Sequence, residues 1–187
     1  AGLYSMMHVR HGARHVFPSS RGFDPAEIFA LAQAHRRIHM FAAPTMVKRL
    51  TDHAVAAGKD GTGLETIVYA GGPMYEADIL RAVDHFGPIF AQIYGQGECP
   101  MGITALTKAE VADRQSDTWR ATVNSVGRAQ SAVLVRVTGA DGRVMPADQP
   151  GEIEVSGDTV MTGYWNAPEA TAATLREGWL RTGDMGK

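Results

Sequence analysis

One cysteine, Cys99, in 187 residues excludes an internal disulfide framework and fits a reducing, cytoplasmic compartment. No apolar run approaches the roughly 20 residues that span a bilayer, and no signal-peptide pattern opens the chain. Neither sign of charge dominates. Eighteen Lys and Arg against twenty Asp and Glu leave a net charge of −2, no electrostatic basis for binding nucleic acid or an anionic membrane. No GxGxxG opens a strand-to-helix turn, which argues against a dinucleotide-dependent oxidoreductase. His8, His11 and His15 have helix-like spacing, but Gly12 interrupts it and Arg10 and Arg14 repel a cation, so no metal site is expected there. Repeats, low-complexity segments and long linkers are also missing. What is present is 44% apolar and 20% charged residues, a soluble globular composition. Glycine is abundant, 21 of 187, which points to many loops with special backbone needs.

Two patterns follow one another. From Arg14 to about Leu106, short apolar runs (14–17, 38–43, 65–71 and 88–95) alternate with helical patterns. Asp24 and Glu27 make a capping-box pattern around Pro25, and Ile28, Leu31, Ala32 and His35 share one helical face. Val47, Leu50 and Ala54 mark a second helix; Ile79, Val83 and Phe86 mark a third, ending at Gly87-Pro88. Alternation of this kind predicts an α/β fold, a largely parallel sheet with flanking helices. After about Trp119 the text changes to antiparallel hairpins: a strand at 132–137, a turn at Asp141-Gly142 and a strand at 151–155. A short helix over 168–176 and a last strand at 179–181 complete a β-rich portion. The expected division is 1–118 and 119–187.

Two motifs sit where open α/β sheets collect ligands, at the carboxyl ends of strands. In AGGPMY (Ala70 to Tyr75), Gly71, Gly72 and Pro73 let backbone approach a flat ring. In YGQGE (Tyr94 to Glu98), an aromatic offers a stacking face and a carboxylate four residues on can hold a divalent cation near phosphates. Alone, the first equally suits a ligand-free turn, and the second a turn with a solvated glutamate. Cys99 reads as a packed thiol, since no basic neighbour would lower its pKa.

Together with GEIEVSGDTVMTGYWNAPEAT (Gly151 to Thr171) and RTGD (Arg181 to Asp184), these motifs resemble the AMP-forming acyl-CoA synthetase, adenylation-domain and luciferase superfamily. The resemblance covers nearly the whole chain. It implies that Tyr94 lies against adenine, with Gly71, Gly72, Pro73, Gln92, Ile93, Gly95 and Gln96 around the nucleotide. It implies that Glu98 coordinates magnesium as the catalytic carboxylate, and that Asp184 binds the ribose through paired charge-assisted hydrogen bonds. Phe41 to Leu50 resembles the segment lining the family's acyl pocket. Gly163, Tyr164 and Trp165 are expected to be mainly structural. Gly97 stands where the family usually has a hydroxyl that contacts the AMP phosphate.

The implied reaction activates a carboxylic acid with ATP and Mg2+ as an acyl-adenylate, then passes the acyl group to coenzyme A. Gln96 favours a CoA ligase over a peptide-synthetase adenylation domain, and a fatty or other hydrophobic acid is the favoured substrate. The family's phosphate loop would precede Ala1 and its small C-terminal domain, with the catalytic lysine, would follow Lys187. The chain is therefore expected to be an inactive fragment that self-associates through its cut edges. The rival expectation is a non-enzymatic nucleotide- or acyl-binding module derived from such a domain, which Gly97 would suit.

Overall fold

The protein is described by a computed structural model covering residues 2–187, with side chains from Tyr4 onward. Its chain divides into two compact units. The first takes the chain up to Ile93 together with Leu106–Gly127; the second takes Tyr94–Ala105 and Arg128–Lys187. Among the described residues no helix is long and apolar enough to cross a membrane.

The first unit holds α1 (Gly2–Arg10), α2 (Pro25–His35), β1 (Ile38–Ala42), α3 (Pro44–Ala57), β2 (Leu64–Tyr69), α4 (Glu76–Phe86), the start of β3 (Phe90–Gln96), α5 (Lys108–Ala112) and α6 (Trp119–Val123). β1 pairs with β2, and β2 with β3, all parallel. Ile67 and Phe90 come from this sheet, and Val47, Leu50, Ala54, Ile79 and Val83 from α3 and α4; all are buried in one apolar core. This is the α/β part that the alternating pattern predicts.

Three local expectations need correcting. Residues 14–17 form no strand. Phe17 is 86% exposed, and Pro18 withdraws a backbone donor, so the run has nothing to pair with or pack on. On α2 the buried face is Ile28, Phe29 and Ala32; Leu31 is half-buried and His35 exposed. Phe29 turns the face because its ring meets His53 at 5.8 Å and Phe86 at 6.3 Å.

The capping box around Pro25 is half-made. Asp24 accepts from the Ala26 N–H, but Glu27 instead accepts from the Ser19 N–H and hydroxyl and from the Ser20 N–H. The Ser20 and then the Ser19 hydroxyl, followed by the two N–H groups, hold the Glu27 carboxyl down at about 2, against an ordinary 4.5. A depressed carboxyl supports structure above its unfolded pKa and loses that support as pH falls through the folded value. Amide protection at Ser19 and Ser20, the intrinsic rate at each pH divided by the exchange rate, should therefore be steady above pH 4.5 and fall toward pH 2. Glu27→Gln should flatten that response, and an unchanged profile in this variant would remove the carboxylate from the account.

The second unit holds the end of β3, then β4 (Cys99–Leu106), β5 (Arg128–Ala129), β6 (Val133–Thr138), β7 (Gly151–Gly157), α7 (Pro168–Thr174), β8 (Leu175–Arg176) and β9 (Trp179–Gly186). β4 and β5 pair antiparallel, and a separate antiparallel sheet runs in the order β6-β7-β9-β8. Its core is Cys99, Ile103, Val133, Val155 and Leu180. The buried Glu154 carboxylate is compensated by Arg136, whose Nε lies at 2.8 Å. That guanidinium also stacks 3.9 Å from the centre of the Trp179 ring. The β-rich expectation holds here as well.

Two boundaries move. The helix predicted over 168–176 stops at Thr174, and its last two residues become β8. The strand predicted to stop at Arg181 runs on to Gly186, so Thr182-Gly183-Asp184 is a bulge within a strand. β7 pairs Glu154 with Arg181 and Glu152 with Met185, so three residues of β9 face the single Ile153. Gly183, at φ 75°, supplies the conformation the bulge requires.

Candidate nucleotide site

In the first unit, Ala42 and Tyr69, the last residues of β1 and β2, are level with Gln92 of β3, a strand that runs on to Gln96. Gly71, Gly72 and Pro73 follow β2 after Ala70, and Ile93 follows Gln92 on β3. A side chain added at Gly71 or Gly72 would meet no protein atom within 4 Å, which leaves the backbone there open to a ligand. The Tyr69 hydroxyl and Gln92 Oε1 are buried without a hydrogen-bond partner among the described residues. Burial pushes the Tyr69 hydroxyl pKa well up. From the proposed acyl segment, Ala42, Val47 and Leu50 are buried, while Phe41 and Met46 are only partly so.

In the second unit, YGQGE spans the end of β3 and a two-residue connection, Gly97-Glu98, into β4. Gly95 allows the strands to close. A Cβ there would lie 2.5 Å from the Met101 nitrogen and 2.7 Å from the Cys99 carbonyl oxygen. Gly97 differs: its surroundings are open, so no crowding demands glycine.

This hairpin and the β9 bulge are joined by two bonds. The Tyr94 hydroxyl donates to Asp184 Oδ2 at 2.6 Å, and Gln96 Nε2 donates to the Thr182 carbonyl at 3.1 Å. Burial first, then the Asp184 carboxylate, pushes the Tyr94 hydroxyl up to about 12. The bulge is braced from within. The Thr182 hydroxyl donates to the Ile153 carbonyl at 2.7 Å and accepts from the Asp184 N–H at 3.1 Å, while Glu152 Oε1 accepts from the Gly183 N–H at 3.1 Å. Tyr94 and Asp184, 90 positions apart, are thus held at one place, and Asp184 Oδ1 has no protein donor among the described residues.

Glu98 is gripped from the 161–164 segment. Its carbonyl accepts from the Met161 N–H at 2.7 Å, and its Oε1 accepts from the Tyr164 hydroxyl at 2.6 Å. The bond to Glu98 raises the Tyr164 hydroxyl pKa. Oε2 has no protein donor among the described residues. One hard oxygen suits Mg2+, which characteristically takes one or two carboxylates and completes its shell with water and phosphate. The sequence reading missed this contact by treating Tyr164 as structural. It also missed Glu152 and Thr182. The 66 positions between Glu98 and Tyr164 carry no local signal of their meeting.

The class is shown by comparison with known proteins. The AMP-binding enzyme family matches residues 1–165, and the chain belongs to that family. It is 38% identical over 165 residues to the indoleacetate–CoA ligase of Aromatoleum aromaticum, covering 88% of this chain and 30% of that protein. It is 35% identical over 165 residues to the medium/long-chain-fatty-acid–CoA ligase FadD8 of Mycobacterium tuberculosis, covering 88% and 28% respectively. Among solved structures, the amide bond synthetase McbA from Marinactinospora thermotolerans superposes with a TM-score of 0.78 at 31% identity, covering 90% of this chain and 33% of that one. The chain therefore spans about 30% of the length of the curated relatives it matches.

Proposed function

We propose that this chain is the nucleotide-binding part of an ATP-dependent acid–CoA ligase. The observation that carries the proposal is the tie between Tyr94 and Asp184, which sets an aromatic face beside a carboxylate as adenosine requires. Tyr94 stacks on adenine, with Gly95 and Gln96 as further nucleotide contacts. Asp184 accepts from the ribose hydroxyls through the oxygen that Tyr94 leaves open. Glu98 Oε2 is the protein's ligand for Mg2+, which when bound offsets phosphate charge during transfer.

In the reaction, an oxygen of the acid's carboxylate attacks the α-phosphorus of ATP and the bond to pyrophosphate breaks, giving acyl-AMP. The thiolate of coenzyme A then attacks the acyl carbon, and AMP leaves. The names of the two relatives support a hydrophobic acid, of the fatty or the arylacetic kind; we favour the fatty class. A cytoplasmic location suits these substrates and the single buried thiol.

The test uses the longer protein, of the relatives' length, that carries this chain. It should exchange pyrophosphate into ATP only when a carboxylic acid is present, and Glu98→Ala should reduce turnover and shift the Mg2+ dependence. Acid-independent behaviour, or binding of nucleotide with no exchange, would favour a non-enzymatic module instead.

Gly97 bears on that choice. Its N–H, free of side-chain crowding, is the candidate donor to the phosphate. Because the position is open and has no positive φ, Gly97→Thr should fold normally. It exchanges one donor for another, so adenylate affinity should change by less than about 1.5 kcal/mol. A large gain in adenylation rate would show instead that the site of this chain is degraded.

A further inference from the structure

We propose that Tyr164 is a positioning residue for the Glu98 carboxylate: by holding Oε1, it fixes Oε2 as the oxygen that meets the divalent cation. The inference rests on the assignment of Glu98 to the cation and concerns what sets that carboxylate in place.

Several observations converge on the 161–164 segment. It holds both ends of Glu98, through the Met161 N–H on the carbonyl and the Tyr164 hydroxyl on the carboxylate, at 2.7 and 2.6 Å. A carboxylate on a two-residue connection would otherwise rotate freely about its side-chain torsions; a short charge-assisted bond at one oxygen removes that freedom. The segment is itself braced. The Tyr164 N–H donates to Thr171 Oγ1 at 2.9 Å, and that hydroxyl donates to the Ala167 carbonyl at 2.9 Å.

Gly163 makes the bracing possible. Its φ is 152°, and a Cβ there would fall 2.9 Å from Thr171 Cγ2. The tyrosine is not held by core packing, since it is 37% exposed, and its neighbour Trp165 is 98% exposed. A surface tyrosine beside such an exposed indole contributes little to the core, so its hydroxyl bond is the reason for its placement. Partners of metal-ligating groups act in this way, by fixing the orientation of the ligand.

The experiment measures ATP binding by calorimetry in the longer protein, without any acid, across a Mg2+ titration, so that no turnover enters the reading. Tyr164→Phe keeps the ring and removes only the hydroxyl. It should raise the half-saturating Mg2+ concentration by roughly tenfold, the usual scale for losing a partner of a metal ligand, while leaving Mg2+-free ATP affinity and Tm unchanged. Gly163→Ala, which displaces the tyrosine without removing it, should shift the curve in the same direction. In a Glu98→Gln background, Tyr164→Phe should add nothing. Superimposable curves for the parent and Tyr164→Phe would overturn the proposal. So would an equal shift that persists in the Glu98→Gln background, because the tyrosine would then act elsewhere. A parent whose ATP binding ignores Mg2+ would overturn the Glu98 assignment itself, and the role of the tyrosine with it.

Discussion

Asp184→Ala should weaken ATP and AMP binding by about 1.5–3 kcal/mol, roughly 10- to 150-fold, in the longer protein. The lost groups are charge-assisted acceptors for the ribose hydroxyls, and no neighbour replaces them. The fold should be little affected. Asp184 is exposed, and the bulge that carries it is braced by Thr182 and Glu152, which remain. Asp184→Asn should fall between the two, since its carbonyl oxygen can still accept from Tyr94 while the charge is gone. The discriminating ligand is a 2′,3′-dideoxy nucleotide. The parent should bind it as poorly as the alanine variant does, and the variant should no longer distinguish it from ATP. Equal ATP affinity in the parent and Asp184→Ala would mean that the ribose lies elsewhere.

Gly95→Ala should have the larger structural consequence. The added methyl would lie 2.5, 2.7 and 2.9 Å from the Met101 nitrogen, the Cys99 carbonyl oxygen and the Met101 Cα, all backbone atoms that cannot swing aside. Met101 already sits at φ 56°, so the facing strand has little room to yield. Overpacking of this kind costs about 1–3 kcal/mol or more. The strands must part between Tyr94 and Glu98, so nucleotide binding should be lost together with thermal stability. Gly97→Ala, two positions on in open space, is the control for stability and should leave Tm unchanged. A Gly95→Ala protein with the Tm and ATP affinity of the parent would refute the close approach on which the site is built.

What could be read from the chain follows the range of the interactions. α3 and α4 were legible because Val47, Leu50 and Ala54, and Ile79 and Val83, repeat on the helical period and all are buried. β6 and β7 were legible because alternation and the Asp141-Gly142 turn lie within a short stretch of sequence. The run at 14–17 misled because apolar side chains identify a strand only when a neighbouring strand is there to pair with it. Glu27 misled because the capping pattern is silent about the serines upstream that compete for the same carboxylate.

The candidate site divides in the same way. Tyr94, Glu98 and Asp184 were found through a motif resemblance, yet what fixes them was not. The β9 bulge arises from a pairing of Glu152 and Glu154 with residues about 30 positions away, and the hold on Glu98 comes from Tyr164. Such contacts are decided by the closing of the sheet and leave no period or spacing in the chain.

The most direct test of the central claim is photolabelling of the longer protein with 8-azido-ATP, followed by mapping of the labelled peptide by mass spectrometry. If Tyr94 lies against the adenine ring, the label should fall on the stretch from Phe90 to Cys99, should be displaced by ATP, and should be lost from Gly95→Ala. A label that ATP displaces but that maps to a peptide without Tyr94 would contradict the account.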